Sequence, residues 1–197
     1  MTATLDDGFT EALADYTRRW PGEADTAALF ETLLADPVDP FRRERVAGHF
    51  TASCWLVSRD GARVLLTHHR KLGLWLQLGG HADGERDLAL AALREAQEES
   101  GLSGLVIEPA IFDLDRHWIP EHKGVPPHWH YDVRCVVRAG EDEAFTVSEE
   151  SLDLAWRDIA ALANDPAADA SVQRMARKWL ALCRPDSLEG IEETRAK

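Results

Sequence analysis

Three glutamates fall at positions 95, 98 and 99, with an arginine at 94. On a helix turning about 100° per residue, spacings of three and four bring such side chains together. Arg94, Glu98, Asp87, Ala91 and Glu95 lie within an arc of roughly 100°, with Glu99 just beyond. Ala89, Leu93 and Ala96 form the opposite, apolar side. Carboxylates this close repel one another unless positive charge intervenes. Arg94 is placed to pair with Glu98 one turn on. A divalent cation would satisfy the rest, since carboxylates, a backbone carbonyl and waters are the ligands that Mg²⁺ or Mn²⁺ prefers. The bland alternative is a solvated helix face. Such faces usually mix lysine with glutamate, and this one has no lysine. Gly79-Gly80 precedes the helix, at a point where the chain can approach a ligand closely.

The elements that must position this helix can be read on either side of it. The helix itself is expected from Asp87 to Ser100, closed by Gly101. Before it come β-rich runs at Phe50–Val57 and Ala62–His69, joined by a turn containing Asp60-Gly61. A short strand is expected at Leu74–Leu78, stopped by Gly79-Gly80. After the helix, strands are expected at Leu105–Phe112, Trp129–Arg138 and Leu152–Trp156. A Pro/His-rich loop spans His117 to Pro127. Helices near Ile159–Ala163 and Ser171–Leu182 close the order. The first 36 residues read as two helices separated by Pro21-Gly22, a packing or dimerising pair. This order predicts a mixed α/β sandwich of the α+β kind. The chain is expected to divide into an N-terminal helical extension (1–47), a mixed α/β domain (48–183) and a polar tail (184–197).

Composition narrows the function. The 197 residues carry 22 Lys+Arg against 35 Asp+Glu, a net charge of -13. That excess argues against bulk nucleic-acid binding or attraction to an anionic membrane. A phosphate-bearing small molecule remains compatible if a metal supplies the positive charge. No apolar run is long enough to span a membrane, and the acidic start lacks the order of a signal peptide. Cys54, Cys135 and Cys183 match no zinc spacing and read as buried reduced thiols of a cytoplasmic protein.

The segment from Gly80 to Leu102 resembles the signature of the Nudix hydrolases, G-x5-E-x7-R-E-U-x-E-E-x-G-U, where U is aliphatic. Gly80, Arg94, Glu95, Glu98, Glu99, Gly101 and Leu102 match, with Ala96 as a small U. The first glutamate of the signature falls on Arg86, with Asp83, Glu85 and Asp87 nearby as replacement carboxylates. Leu78 stands where a proline is usual. The resemblance implies an α/β/α sandwich with a mixed sheet, and hydrolysis of a diphosphate linked to some other group, in a nucleotide or other diphosphate. It implies Mg²⁺, with Mn²⁺ as the other option, held by Glu95, Glu98, Glu99 and the carbonyl of Gly80. Glu98, Glu95 and Arg94 would be the catalytic set, with Arg94 orienting the carboxylates. A box glutamate, or Glu149 or Glu150, would be the general base. The other readings are a non-hydrolytic nucleotide-sensing module and an isomerase of a small diphosphate.

A second constellation is His128-Trp129-His130-Tyr131-Asp132. On a strand, His128, His130, Asp132 and Arg134 share one face, and Trp129, Tyr131, Val133 and Cys135 the other. The polar face suits substrate contact, a second metal or solvent, and His81 could approach it. Trp75 and Gln77, on one face of the strand entering the box, are candidate substrate contacts, and Trp118 a candidate base platform.

Overall fold

The structure, a computed structural model, describes residues 5–70, 72–122, 124–147 and 151–183. It opens with helices α1 (Leu5–Arg19) and α2 (Ala24–Leu34), joined by a 3₁₀ turn at Pro21–Glu23. Seven strands follow as β1 (Gly48–Val57), β2 (Arg63–His69), β3 (Trp75–Leu76), β4 (Leu78–His81), β5 (Val106–Ile119), β6 (His128–Arg138) and β7 (Ser151–Asp158). Helix α3 (Leu88–Ser100) lies between β4 and β5, and α4 (Ile159–Leu162) and α5 (Ala170–Leu182) end the described chain.

All seven strands form one mixed sheet. Strand β1 is buried at all ten positions, as a strand covered on both faces must be. Its partner along one edge is β6, in parallel, with Gly48 beside Trp129 and Val57 beside Arg138. Its other edge is shared by β2, at Val57, and β4, at Thr51–Cys54, both antiparallel. Strand β5 pairs with β6, and β7 and β3 pair with β2.

The alternation of β1 sends its side chains into two cores. Phe50, Ala52, Cys54 and Leu56 join α1, α2 and α3 on one face, and Trp55 and Val57 join α4 and α5 on the other. This is the expected α/β/α arrangement. The N-terminal helices are part of it, because Phe9, Leu13, Tyr16, Phe30 and Leu33 lie in the same core as α3. The small buried face of α3 (Ala89, Ala91, Ala92, Ala96) lets that helix sit close to the sheet. Among the described residues no helix is long and apolar enough to cross a membrane.

Three expectations are corrected. The strand expected at Leu74–Leu78 is two pieces, β3 on β2 and β4 on β1. Gly79-Gly80 does not stop it but continues β4, opposite Ser53 and Ala52. A side chain at Gly79 would fall 2.2 Å from Ser53 Oγ, so the glycine is what allows the pairing. The loop expected from His117 begins only after Ile119, since His117, Trp118 and Ile119 pair with His130, Trp129 and His128. Of the cysteines, Cys54 and Cys135 are buried free thiols, but Cys183 is exposed. The polar tail lies outside the described residues.

Candidate active site

Helix α3 is set by its ends. Asp87 caps it, its side chain accepting from the backbone N–H of Ala89 and Leu90. Gly101 closes it in the left-handed conformation at φ 69°. Two residues before that end, Glu99 reaches back to β4, where its Oε1 accepts from the backbone N–H of Gly79 at 2.7 Å. Glu95 lies against the next residue, and a Cβ at Gly80 would come within 2.5 Å of its Oε2. Glu98 is exposed and accepts no hydrogen bond among the described residues. Two of the three carboxylates, Glu95 and Glu99, therefore meet the Gly79–Gly80 strand, while Glu98 stands exposed beside them on α3.

Arg94 is differently engaged from expectation. It donates to Glu95 Oε1 at 2.9 Å and to the carbonyl of His81 at 2.8 Å, so its close partner is Glu95 and not Glu98. The bond to Glu95 holds its guanidinium pKa above the ordinary value. Arg94 thus ties the helix to the end of β4 and fixes the direction of one carboxylate.

The loop from Ala82 to Asp87 is fastened to the segment before β1. Arg86 lies over the ring of Phe41, at 4.9 Å, with Asp39 at 3.6 Å. Phe41 is itself buried against Phe50. Arg43 pairs with Asp83, and Gly84 N–H donates to the carbonyl of Phe41 at 2.8 Å. The three carboxylates considered as replacements are all committed within this loop. Asp83 is held by Arg43, with its pKa lowered by that hydrogen bond. Glu85 accepts from Asp87 N–H at 2.9 Å, and Asp87 caps α3.

The polar face of β6 is covered, not solvated. Asp132 is buried and accepts from Thr51, Ser53 and Arg134 Nε at 3.0, 2.8 and 2.7 Å, with Gln77 Nε2 at 3.4 Å. Arg134 continues to Asp113 and Asp115. Asp132 is therefore a structural anchor, separated in function from the histidines of its strand. Gln77 points at it, and Gln77 Oε1 is buried without a partner. Trp75 stacks on His68, ring centroids 5.1 Å apart and nearly parallel, so that its face is used within the fold. Trp118 stands on β5 against Trp129 and is half exposed. Glu149 and Glu150 lie outside the described residues.

His81, His128 and His130 do come together, around a residue the spacing did not single out. His49 has its ring 5.2 Å from His81, 5.0 Å from His128 and 4.9 Å from His130. His117 flanks the group, 5.4 Å from His130. Burial first, then the neighbouring positive and titratable groups, push His81 down to about 4 and His130 to about 2. Burial also lowers His49. His81 and His130 are therefore neutral at physiological pH. His49 was missed because the β-rich run begins at Phe50, and only the parallel β1–β6 register places it beside His130.

Comparison with known proteins agrees with this architecture. The chain superposes on a NUDIX-family hydrolase from Clostridium perfringens with a TM-score of 0.52 at 23% identity, covering 69% of this chain and 98% of that one. It superposes on a MutT protein from Methanosarcina mazei Go1 with a TM-score of 0.54 at 15% identity, covering 74% and 97%. A C. elegans Ap4A hydrolase gives 0.50 at 22% identity, covering 68% and 96%. At these identities the likeness establishes the fold. A search of curated proteins returned no match. The NUDIX domain model matches residues 48–180, a stretch that runs from the start of β1 into α5 and contains the whole carboxylate helix. By that match the chain belongs to the Nudix family, as a hydrolase acting on phosphoric anhydrides.

Proposed function

We propose that this hydrolase cleaves a diphosphate linkage in a nucleotide or nucleoside-diphosphate derivative, with Mg²⁺ as its ion and Mn²⁺ as a substitute. The observation that supports this most is the seating of Glu95 and Glu99 against the Gly79–Gly80 strand, with Glu98 exposed beside them on the same helix. The donor set is all oxygen, which fits a hard divalent cation. Glu95, Glu98, Glu99 and the carbonyl of Gly80 would hold it. Bound there, the ion supplies Lewis acidity and a water acidified toward neutral pH.

The chain's own groups have separable tasks. Arg94, itself anchored on the carbonyl of His81, donates one hydrogen bond to Glu95 and so orients that carboxylate before turnover. Glu99 is fixed by Gly79 N–H. Glu98 is the carboxylate left free to change its partners, which suits it to hold an ion or take a proton. Phosphoryl transfer relies on positioning and charge neutralisation, so the site needs no covalent nucleophile. Free buried Cys54 and Cys135 support a reducing, cytoplasmic setting.

The test is phosphate release, coupled to a phosphatase, across nucleoside triphosphates, dinucleotides, ADP-ribose and nucleotide sugars. The expected result is a hit that needs Mg²⁺ or Mn²⁺ and is lost with EDTA. Glu98→Gln should reduce it by about 10²–10³-fold, as loss of one charged stabilising group does, while leaving the melting temperature in place. Retained turnover in that variant would overturn the assignment. Ligand binding without release would favour a sensing module.

A further inference from the structure

The histidine cluster beside the box has no task in the reaction just described. We propose that His49, His81 and His130 bind a divalent first-row transition-metal ion of the Zn²⁺ class, at a site distinct from the carboxylates of α3. The proposal does not depend on which diphosphate is cleaved.

Geometry carries it. One ring nitrogen from each of the three lies within 4.8 Å of the others. Ligands about 2.0–2.1 Å from a tetrahedral ion stand about 3.3 Å apart, so small ring rotations close the set. The residues come from three strands, His49 on β1, His81 on β4 and His130 on β6. His49 and His130 are register partners, and His81 is the partner of Thr51, two residues along β1 from His49. All three therefore project from one face of a rigid sheet, which holds ligands better than a loop does.

The hydrogen bonds fix which nitrogens are free. His49 Nδ1 lies 3.3 Å from the carbonyl of Arg45, which can only accept, so Nδ1 carries the proton. His49 Nε2 is then a bare lone pair, and it is buried with no hydrogen-bond partner. Leaving such an acceptor buried and unpaired is unfavourable. His128 repeats the pattern. Its Nδ1 donates to the carbonyl of Pro126 at 2.8 Å, so its Nε2 accepts from His130 Nε2–H at 3.1 Å, which leaves Nδ1 as the lone pair of His130. A ring N–H held by a backbone carbonyl, with the other nitrogen turned inward, is how metal-binding histidines are oriented. His128 thus orients the ring of His130 and is not one of the three ligands.

Chemistry separates this site from that of the hydrolase. Imidazole suits Zn²⁺, Co²⁺, Ni²⁺ or Cu²⁺, whereas Mg²⁺ seeks oxygen. A stack of neutral rings satisfied by one another is the alternative, and the orphaned Nε2 of His49 speaks against it. The two sites touch at one residue, since the carbonyl of His81 accepts from Arg94.

The experiment is a Co²⁺ titration of the full chain, stripped with EDTA and then held in excess Mg²⁺. Visible absorption and hyperfine-shifted imidazole N–H proton resonances are recorded, and Zn²⁺ is added as competitor. One equivalent of Co²⁺ should bind, give shifted N–H signals and be displaced by Zn²⁺. His81→Gln and His130→Gln, at the two half-buried ligands, should each weaken binding by about 10²-fold or more, and Glu98→Gln should leave it unchanged. No bound Co²⁺, or binding that survives both histidine variants or vanishes in Glu98→Gln, would overturn the proposal. If the histidine variants do not fold, the wild-type spectrum decides: absence of shifted imidazole N–H signals overturns it.

Discussion

The Glu95 carboxylate fills the space in which a side chain at Gly80 would have to sit, within 2.5 Å of its Cβ position. The neighbouring glycine answers to a different constraint, since a Cβ at Gly79 meets the backbone of Ser53 at 2.7 Å. The two alanine variants should therefore fail differently. Gly80→Ala displaces a carboxylate that can swing away, and should keep the fold while lowering kcat by about 10²-fold, as misplacement by about 1 Å does. Gly79→Ala forces β4 off β1 and should cost about 1–3 kcal/mol or more. Thermal melts read beside phosphate release separate the two, and equal loss of stability in both would refute the distinction.

Arg86 stands where the family signature has a glutamate, and it lies on Phe41 beside Asp39. Removing it should cost about 0.5–1 kcal/mol, the value of an exposed cation–π contact. Restoring the signature with Arg86→Glu should cost more and not raise turnover, because the new carboxylate would face Asp39. Urea midpoints and kcat for both variants check this. Faster hydrolysis by Arg86→Glu would show that the position still wants an acid.

Asp113 is fully buried and takes hydrogen bonds from Arg174, Arg134 and Lys178. Burial pulls its pKa up, but the Arg174 hydrogen bond and the charges of Arg134, Arg174 and Lys178 outweigh burial and hold it below the usual value. The folded state thus binds this proton less readily than the unfolded chain, where aspartate titrates near about 3.9. The stabilisation is complete above about pH 4 and is lost as pH falls through the folded value. Asp113→Asn should cost about 3–5 kcal/mol at neutral pH, since it leaves buried cations unmatched, and less near pH 3, below the value of the unfolded chain. Urea melts of both proteins at the two pH values test this, and an unchanged gap would contradict it.

The mixed α/β frame was legible from the order of elements, and the carboxylate helix from local spacing. Glu95, Glu98 and Glu99 are local in sequence, so helical spacing alone gathers them, and Asp87 and Gly101 mark the ends of their helix. What spacing cannot show is a partner from another strand. Arg94 was expected at Glu98, but the carbonyl of His81 draws it toward Glu95. Gly79-Gly80 reads as a break, and only the approach of Ser53 and Glu95 explains why glycines continue a strand. Asp132 looked like a ligand beside His130, but Thr51, Ser53 and Arg134 claim it from the parallel neighbour and from its own strand. His49 entered the group by the same non-local register.

The fastening of the box loop to residues 39–43 has a wider consequence. Phe41 belongs to a segment that precedes the 48–180 stretch shared with the family, yet its carbonyl and its ring hold Gly84 and Arg86. The loop that leads into the shared helix is here held by chain that lies outside that stretch. A swap that carried the shared stretch alone into another protein would move the chemistry but leave its tuning behind. Drift in the N-terminal segment could then reset the enzyme's pace while every glutamate of the signature stayed the same.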